Sequence, residues 1–192
     1  MDARYMRNIP ALTEKECLLL KEKRILVVGC GGLGGHIIDM LARIGIGCLR
    51  VVDGDVFDAT NLNRQLLSQV SLLGTSKAKA AAEHITRINP DIVVEVFDEF
   101  MTEANVQTLI SGCDIVMDAL DNVAGRRILA AACETANIPY VYGTGVLDGV
   151  FVFRHQIRIA GLPDSGDLHL FHTSSFFATT NHVVPWPSAP GR

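Results

Sequence analysis

The stretch Arg24-Ile-Leu-Val-Val-Gly-Cys-Gly-Gly-Leu-Gly-Gly35 joins an aliphatic, β-branched run, Ile25 to Val28, directly to the pattern Gly29-x-Gly31-x-x-Gly34. Such a run predicts a buried parallel strand, and a glycine-rich turn at its carboxyl end predicts a nucleotide loop. In such a loop one glycine permits the tight turn. Another lets phosphate oxygens approach backbone N–H groups, and a third lets the next helix pack on the strand. Gly29, Gly31, Gly32 and Gly34 are therefore the candidate cradle. A helix opening at Leu33 to Gly35 would turn its partial positive end toward the bound anion. Asp53 closes the next apolar run, Leu49 to Val52, where nucleotide-binding folds hold ribose hydroxyls with a carboxylate. Many nicotinamide dehydrogenases share these features, so at this point the class of nucleotide stays open.

Outward from that stretch, strands and helices alternate. Upstream, Arg4, Tyr5 and Arg7 precede a helix predicted from Thr13 to Lys23, with Thr13 as N-cap and Glu16 completing a capping box. The first helix after the loop is expected to run to Ile44, with Gly45 and Gly47 ending it. A strand Cys48 to Val52 delivers Asp53 and Asp55. The polar segment Asp58 to Gln65 follows, then a helix from Ser76 to Ile88 that stops at Asn89-Pro90. Next come a strand Ile92 to Phe97, a helix Glu103 to Ile110, a strand Asp114 to Ala119, a helix Gly125 to Ala136 and a strand Tyr140 to Tyr142. The expectation is an α/β, Rossmann-like, doubly wound and mostly parallel sheet with helices on both faces, binding ligand at the carboxyl ends of its strands. Residues 1–23 read as an arm and helix, 24–149 as the nucleotide-binding domain, and 150–192 as an atypical tail. In the tail Phe151 to Ile159 suits one or two more strands, and loop or disorder is expected beyond Gly161. His169 and His172 lack a carboxylate or cysteine at ligand spacing, so they read as a chance cluster and not as a metal site.

At 192 residues, 48% hydrophobic and 20% charged, the chain supports one substantial domain. Neither a membrane-spanning run nor an apolar leader is evident, which makes the cytoplasm the default location. The five cysteines are scattered, odd in number and never in Cys-x-x-Cys spacing, so neither a disulfide framework nor a tetrahedral zinc site is suggested. A formal net charge of −4 disfavours nucleic acid as the partner.

The predicted carboxyl edge collects the glycine loop, Asp53, Asp55, Asn61, Asn63, Arg64, Gln65, Lys77 and Asp121. Hydride transfer has no use for so many cations and carboxylates. Attack on phosphorus does, because negative charge builds on the phosphates and fixed Arg, Lys and Mg²⁺ stabilise it. Phosphate-transfer chemistry is favoured over redox chemistry.

Arg4-Tyr5-Met6-Arg7, Gly29-Cys-Gly-Gly-Leu-Gly34, Asp53-Gly-Asp55, Asn61-Leu-Asn-Arg-Gln65, Gly74-Thr-Ser-Lys77, Asn89-Pro90 and Asp121-Asn122 together resemble the ThiF/MoeB/HesA family, relatives of ubiquitin-activating enzymes. The resemblance extends from Arg4 to about Gly149. It implies an ATP- and Mg²⁺-dependent adenylyltransferase that activates the C-terminal glycine carboxylate of a ubiquitin-like sulfur-carrier protein, releasing pyrophosphate. Carried over, Asp53 would bind ribose, Asn61 and Arg64 the triphosphate and Lys77 the phosphates, Asp121 would position Mg²⁺, and its neighbour Asn122 would belong to the nucleotide-binding set. Arg7 would reach the nucleotide site of the second subunit of a homodimer.

Several rivals stand beside these assignments. Arg64 can be read as a surface ion-pair partner, Lys77 as a solvated first-turn lysine and Asp121 as the cap of the fourth helix. The tail departs from the family: it has no Cys-x-x-Cys pairs and no cysteine to act as a thioester or persulfide nucleophile, so it reads as truncated or altered. The alternative functions are a non-catalytic ATP-binding subunit, an adenylating enzyme acting on tRNA, and a nicotinamide oxidoreductase.

Overall fold

The computed structural model describes residues 2–9, 11–146 and 150–156, with 144–146 and 150–156 described by their backbone alone. Six strands, β1 (Arg24–Val28), β2 (Cys48–Val52), β3 (Val93–Phe97), β4 (Ile115–Asp118), β5 (Tyr140–Val146) and β6 (Val150–Gln156), form one sheet in the order β3-β2-β1-β4-β5-β6. The first five are parallel and β6 is antiparallel to β5. Among the described residues five α-helices accompany them: α1 (Glu14–Leu20), α2 (Gly32–Ile44), α3 (Lys77–Ile88), α4 (Val106–Ile110) and α5 (Val123–Ala136). This is the expected doubly wound, Rossmann-like α/β architecture.

Alternation along each buried strand divides the core into two layers. Ile25 and Val27 of β1 pack with Leu49 and Val51 of β2 against Ile37, Ile38, Ala81 and Ile85 on α2 and α3. Leu26, Val28 and Val52 face the other way, onto Val106, Leu109, Leu129 and Cys133 of α4 and α5. The strand β3 lies at the sheet edge, and its Val93 and Val96 are exposed.

Most predicted boundaries fall within a residue or two of the observed ones, and the differences have local causes. The helix α4 begins at Val106 and not at Glu103, because the Asn105 side chain accepts from Thr102 N–H (2.7 Å) and holds the residues before it in a turn. The helix α1 stops at Leu20, short of Lys23, while its Thr13–Glu16 capping box is formed as expected. The strand β5 continues to Val146 because it pairs with β6 over its whole length. Of the one or two extra strands expected in Phe151 to Ile159, one is present, β6. The loop expected beyond Gly161, and His169 and His172, lie outside the described residues.

Candidate nucleotide site

The carboxyl edge of the sheet is built around Gly29 and Gly34. Gly29 takes a left-handed φ of +95° while its N–H donates to Val52 O (2.8 Å). A Cβ placed on Gly34 would lie 1.7 Å from Gly29 O, so α2 approaches β1 at a distance that only glycine allows.

Asp53 stands beside this turn. Its Oδ2 accepts from Cys30 N–H (2.7 Å) and its Oδ1 from Asp55 N–H (2.8 Å). Each oxygen keeps a lone pair free for a hydroxyl donor. Burial pushes the Asp53 carboxyl above the ordinary carboxylate range, opposed by these two N–H groups and by the Lys77 ammonium. The Cys30 thiol is buried in the same loop, and burial raises it well above its ordinary value, which leaves it an inert packing group.

Lys77 reaches the site through a short antiparallel clamp. Phe57 N–H donates to Thr75 O (3.0 Å), Gly74 N–H to Phe57 O (2.9 Å) and Lys77 N–H to Asp55 O (2.9 Å). Ser76 caps α3, and Lys77, the first helical residue, has only 9% of its side chain exposed. The solvated-lysine reading is thereby set aside. Its Nζ donates to Asp55 Oδ2 (3.1 Å), which supplies the anion that a cation at a helix N-terminus calls for.

Within the polar segment, Asn61 is buried, and its Oδ1 accepts from Asp58 N–H (3.0 Å) while its carbonyl receives Gln65 N–H (2.9 Å). Gln65 is also buried, packs against Gly31, and has an Oε1 with no hydrogen-bond partner. A buried amide left unsatisfied beside a glycine cradle suits a polar ligand. Arg64 and Asn63 are exposed, and Arg64 Nη1 donates to Thr60 O (2.8 Å) and Asn63 Oδ1 (3.2 Å). No carboxylate pairs with Arg64 among the described residues, which removes its ion-pair reading.

After β4, Asn122 and not Asp121 caps α5, accepting from Gly125 N–H (2.7 Å). The Asp121 carboxylate is exposed, with no partner among the described residues. Among those residues no group of three or more His, Cys, Asp or Glu is placed to hold a metal. The donor set fits a Mg²⁺ held by one carboxylate and shared with phosphate oxygens, the mode this ion uses with nucleotides.

Arg7 is not brought to this site. The arm is anchored by buried Tyr5, whose hydroxyl accepts from Asn89 Nδ2 (2.6 Å), while Arg4 donates to Asn89 Oδ1 (2.6 Å). Asn89 follows α3 and precedes β3, so the arm and exposed Arg7 lie at the amino edge, opposite Asp53 and Lys77 of the same chain.

Two further groups shape the site without having been singled out from sequence. Asp118, fully buried at the end of β4, accepts from Leu120 N–H (2.8 Å) and from the Tyr140 hydroxyl. Burial raises both its carboxyl and the Tyr140 phenol. Arg126 donates to Leu120 O and Gly143 O, tying the segment after β4 to the middle of β5. A carboxylate inside the apolar run Ile115 to Ala119 was the available signal for Asp118.

A family model described as the ThiF family matches residues 4–174. The chain belongs to the ThiF family. This match runs past Gly149, further than the quoted motifs. Among curated ThiF-family relatives, the SAMP-activating enzyme E1 of Haloferax volcanii is 41% identical over 124 residues, 65% of this chain and 46% of that protein. The molybdopterin-synthase adenylyltransferase of Escherichia coli is 38% identical over 139 residues, 71% of this chain and 56% of that protein. The chain thus spans about half the length of these relatives. Among solved structures, the E. coli tRNA N6-threonylcarbamoyladenosine dehydratase TcdA in complex with ATP superposes with a TM-score of 0.70. It is 36% identical and covers 74% of this chain and 61% of that one. Among the described residues, no helix of this ThiF-family chain is long and apolar enough to cross a membrane.

Proposed function

We propose that this chain binds ATP with Mg²⁺ and activates the C-terminal glycine carboxylate of a ubiquitin-like sulfur-carrier protein by adenylation. The observation that carries the reading is the buried Lys77 ammonium, paired with Asp55, two residues from the Asp53 carboxylate that accepts from the glycine loop. Relatives named for adenylyl transfer and SAMP activation support it. In this reading the carrier carboxylate attacks the α-phosphorus of ATP. A new oxygen–phosphorus bond forms as the α–β bridging bond breaks, and pyrophosphate leaves with the electron pair.

The chain's own groups serve that displacement. Asp53 accepts from the ribose hydroxyls, and the backbone N–H groups of Gly31, Gly32 and Gly34 face the phosphates with Gln65, Asn61 and Asn63 around them. Lys77 and Arg64 meet the charge that builds on the phosphate oxygens. Asp55 balances Lys77. Asp121, next to the helix cap Asn122, would hold Mg²⁺, which would supply Lewis-acid stabilisation when bound. Arg7 lies far from its own chain's site, so its contribution is to a second copy in a homodimer.

The test is carrier-dependent ATP–pyrophosphate exchange. Arg64→Ala and Asp121→Ala should each abolish it, and exchange left intact in both would sink the reading. The 36% identity to TcdA favours one second reading, in which the same adenylation is directed at a group carried on tRNA. Exchange that depends on tRNA and not on a carrier protein would select it.

A further inference from the structure

Asp121 presents its carboxylate to solvent, while both of its neighbours in the chain are held. Leu120 is gripped by its two backbone groups. Its N–H donates to Asp118 Oδ1 (2.8 Å), and its carbonyl accepts from Arg126 Nε (2.9 Å) and Nη2. On the other side Asn122 is held at the start of α5, where its Oδ1 accepts from Gly125 N–H (2.7 Å) and its carbonyl from Arg126 N–H (3.3 Å). Gly125 makes room for this turn, since a Cβ there would lie 3.0 Å from Asn122 Oδ1 and 3.1 Å from Leu120 Cδ1.

The two side chains that grip Leu120 are themselves anchored. Asp118 is fully buried at the end of β4, and its second oxygen accepts from the Tyr140 hydroxyl on β5. Burial raises its carboxyl, opposed by the Tyr140 hydroxyl, the Leu120 N–H and the Arg126 guanidinium. Arg126, the fourth residue of α5, is half-buried. Its Nη2 also donates to Gly143 O (2.7 Å) on β5, and its guanidinium lies over the Tyr142 ring, 5.9 Å from the centroid. A planar fork of donors suits the holding of two carbonyls at once. Those donors go to Leu120 and Gly143, and the Asp121 carboxylate keeps its full charge for a cation.

A metal-binding carboxylate must be held to within about 0.5 Å of its working place, and the groups around it do the holding. We infer that Asp118 and Arg126 are positioning residues for Asp121, clamping the backbone of Leu120 from both sides and so fixing where the next carboxylate meets Mg²⁺. The inference rests on the ATP and Mg²⁺ reading of the site. Leu120 follows Ala119, whose N–H donates to Val28 O (2.9 Å) next to the glycine cradle, so the clamp sets Asp121 relative to the phosphate loop. Tyr140 and Gly143 brace it against β5.

The experiment is calorimetric titration of the full chain with ATP in excess Mg²⁺ and in EDTA, the ratio of the two affinities being the benefit of the metal. Asp121→Ala should remove that benefit. Arg126→Met, which keeps the stem and removes the donors, should lower it about tenfold, the smaller of the losses found when a group that orients a metal ligand is removed. Affinity in EDTA should be unchanged. Added to Asp121→Ala, Arg126→Met should cost nothing further, because no carboxylate is left to place. Asp118→Asn, whose amide oxygen still accepts from Leu120 N–H, should keep the benefit, and Asp118→Ala should lose it. Arg126→Lys, with the charge kept and the fork lost, should show a smaller loss of the same kind and carries the test if Arg126→Met does not fold. Equal losses in Mg²⁺ and in EDTA assign a purely structural role and overturn the inference. So do a wild-type metal benefit in both Arg126 variants, a further loss in the double variant, and a loss in Asp118→Asn as large as in Asp118→Ala. A wild-type chain that binds ATP without benefit from Mg²⁺ overturns the inference and the metal reading together, and one that binds no ATP overturns the ATP reading as well.

Discussion

Gly32 and Gly34 stand two residues apart in the same loop, yet alanine should act on them with opposite sign. At Gly34 the added Cβ would sit 1.7 Å from Gly29 O, against an ordinary separation of about 3.5 Å, so α2 and the loop must part by roughly 1.8 Å. Neither side yields easily. Gly29 is held by its bond to Val52 O, and its own Cβ position is 2.8 Å from Ala119 O. Both clashing groups are backbone, which puts the cost at the upper end of overpacking effects, about 3 kcal/mol. For a chain of this size that lowers the melting temperature by roughly 6–12 °C. At Gly32 the nearest atom to the added Cβ is Arg64 O at 4.0 Å, an ordinary contact, and the residue is already helical. Alanine there should stabilise by about 0.5 kcal/mol, chiefly by restricting the unfolded chain. Thermal and urea denaturation of the two variants, with ATP titrations, make the comparison. ATP binding should fall more than tenfold in Gly34→Ala, because loop N–H groups displaced by more than an ångström leave hydrogen-bond range. A Gly34→Ala variant that melts with the wild type, or a Gly32→Ala variant that falls as far, would refute the reasoning.

Asp55→Asn should lower stability by only about 1 kcal/mol, since water screens a partner that is 56% exposed, and saturating ATP should recover the loss. Urea titrations with and without ATP check this, and a loss that ATP does not recover counts against the pairing. Lys77→Met should leave the fold intact and abolish pyrophosphate exchange. The folded Asp53 carboxyl lies above its unfolded value, so its contribution to stability is present at low pH and fades as pH rises through the raised value. Ribose binding needs the ionised form, so ATP affinity should drop as pH is lowered through that same range, while Asp53→Asn should bind weakly with little pH dependence. Asp114 has the opposite sign: the Arg24 N–H and the Lys23 ammonium hold its carboxyl low, so its stabilisation is lost as pH falls. Asp114→Asn should flatten the acid limb of a stability–pH curve. Tyr5→Phe leaves the buried Asn89 amide without its 2.6 Å partner and should cost about 1–2 kcal/mol by urea denaturation.

The legible parts of this fold are those whose cause is local. Strands β1 and β2 are bounded as read, because each aliphatic run meets a residue that cannot continue it, Gly29 in one case and Asp53-Gly54 in the other. The Thr13–Glu16 capping box is a three-residue relation and was visible as such. What was hidden depends on distant contacts. The strand β5 is lengthened by β6, and the path of the arm is set by Tyr5 meeting Asn89. Arg7 shows the limit best. The family resemblance already assigned it to a second subunit's site, but the path of the arm that carries it, docked through Tyr5 onto Asn89 at the amino edge, is set by a contact that no local pattern contains.

The charges at the site follow one constraint. A lysine with a tenth of its side chain exposed must have an anion near it in the free protein, yet must give that anion up when phosphate arrives. The two partners divide the work by mobility. Lys77 is fixed by the first turn of α3, the Ser76 cap and the clamp to Asp55 O, whereas the Asp55 carboxylate is more than half exposed and can turn to water. Asp53 is held differently, each of its oxygens oriented by one backbone N–H, from Cys30 and from Asp55. Two acidic residues separated by one glycine are thus held differently, Asp53 by two backbone N–H groups and Asp55, more than half exposed, by Lys77, which suits them to the separate tasks of the proposed function. Exchanging the mobile anion for a bound phosphate lets the free and the loaded site each satisfy the same buried cation. An Asp55→Glu variant, which keeps the charge and its freedom, should therefore retain ATP binding, and an Asp53→Glu variant, which breaks the two fixed N–H bonds, should lose it.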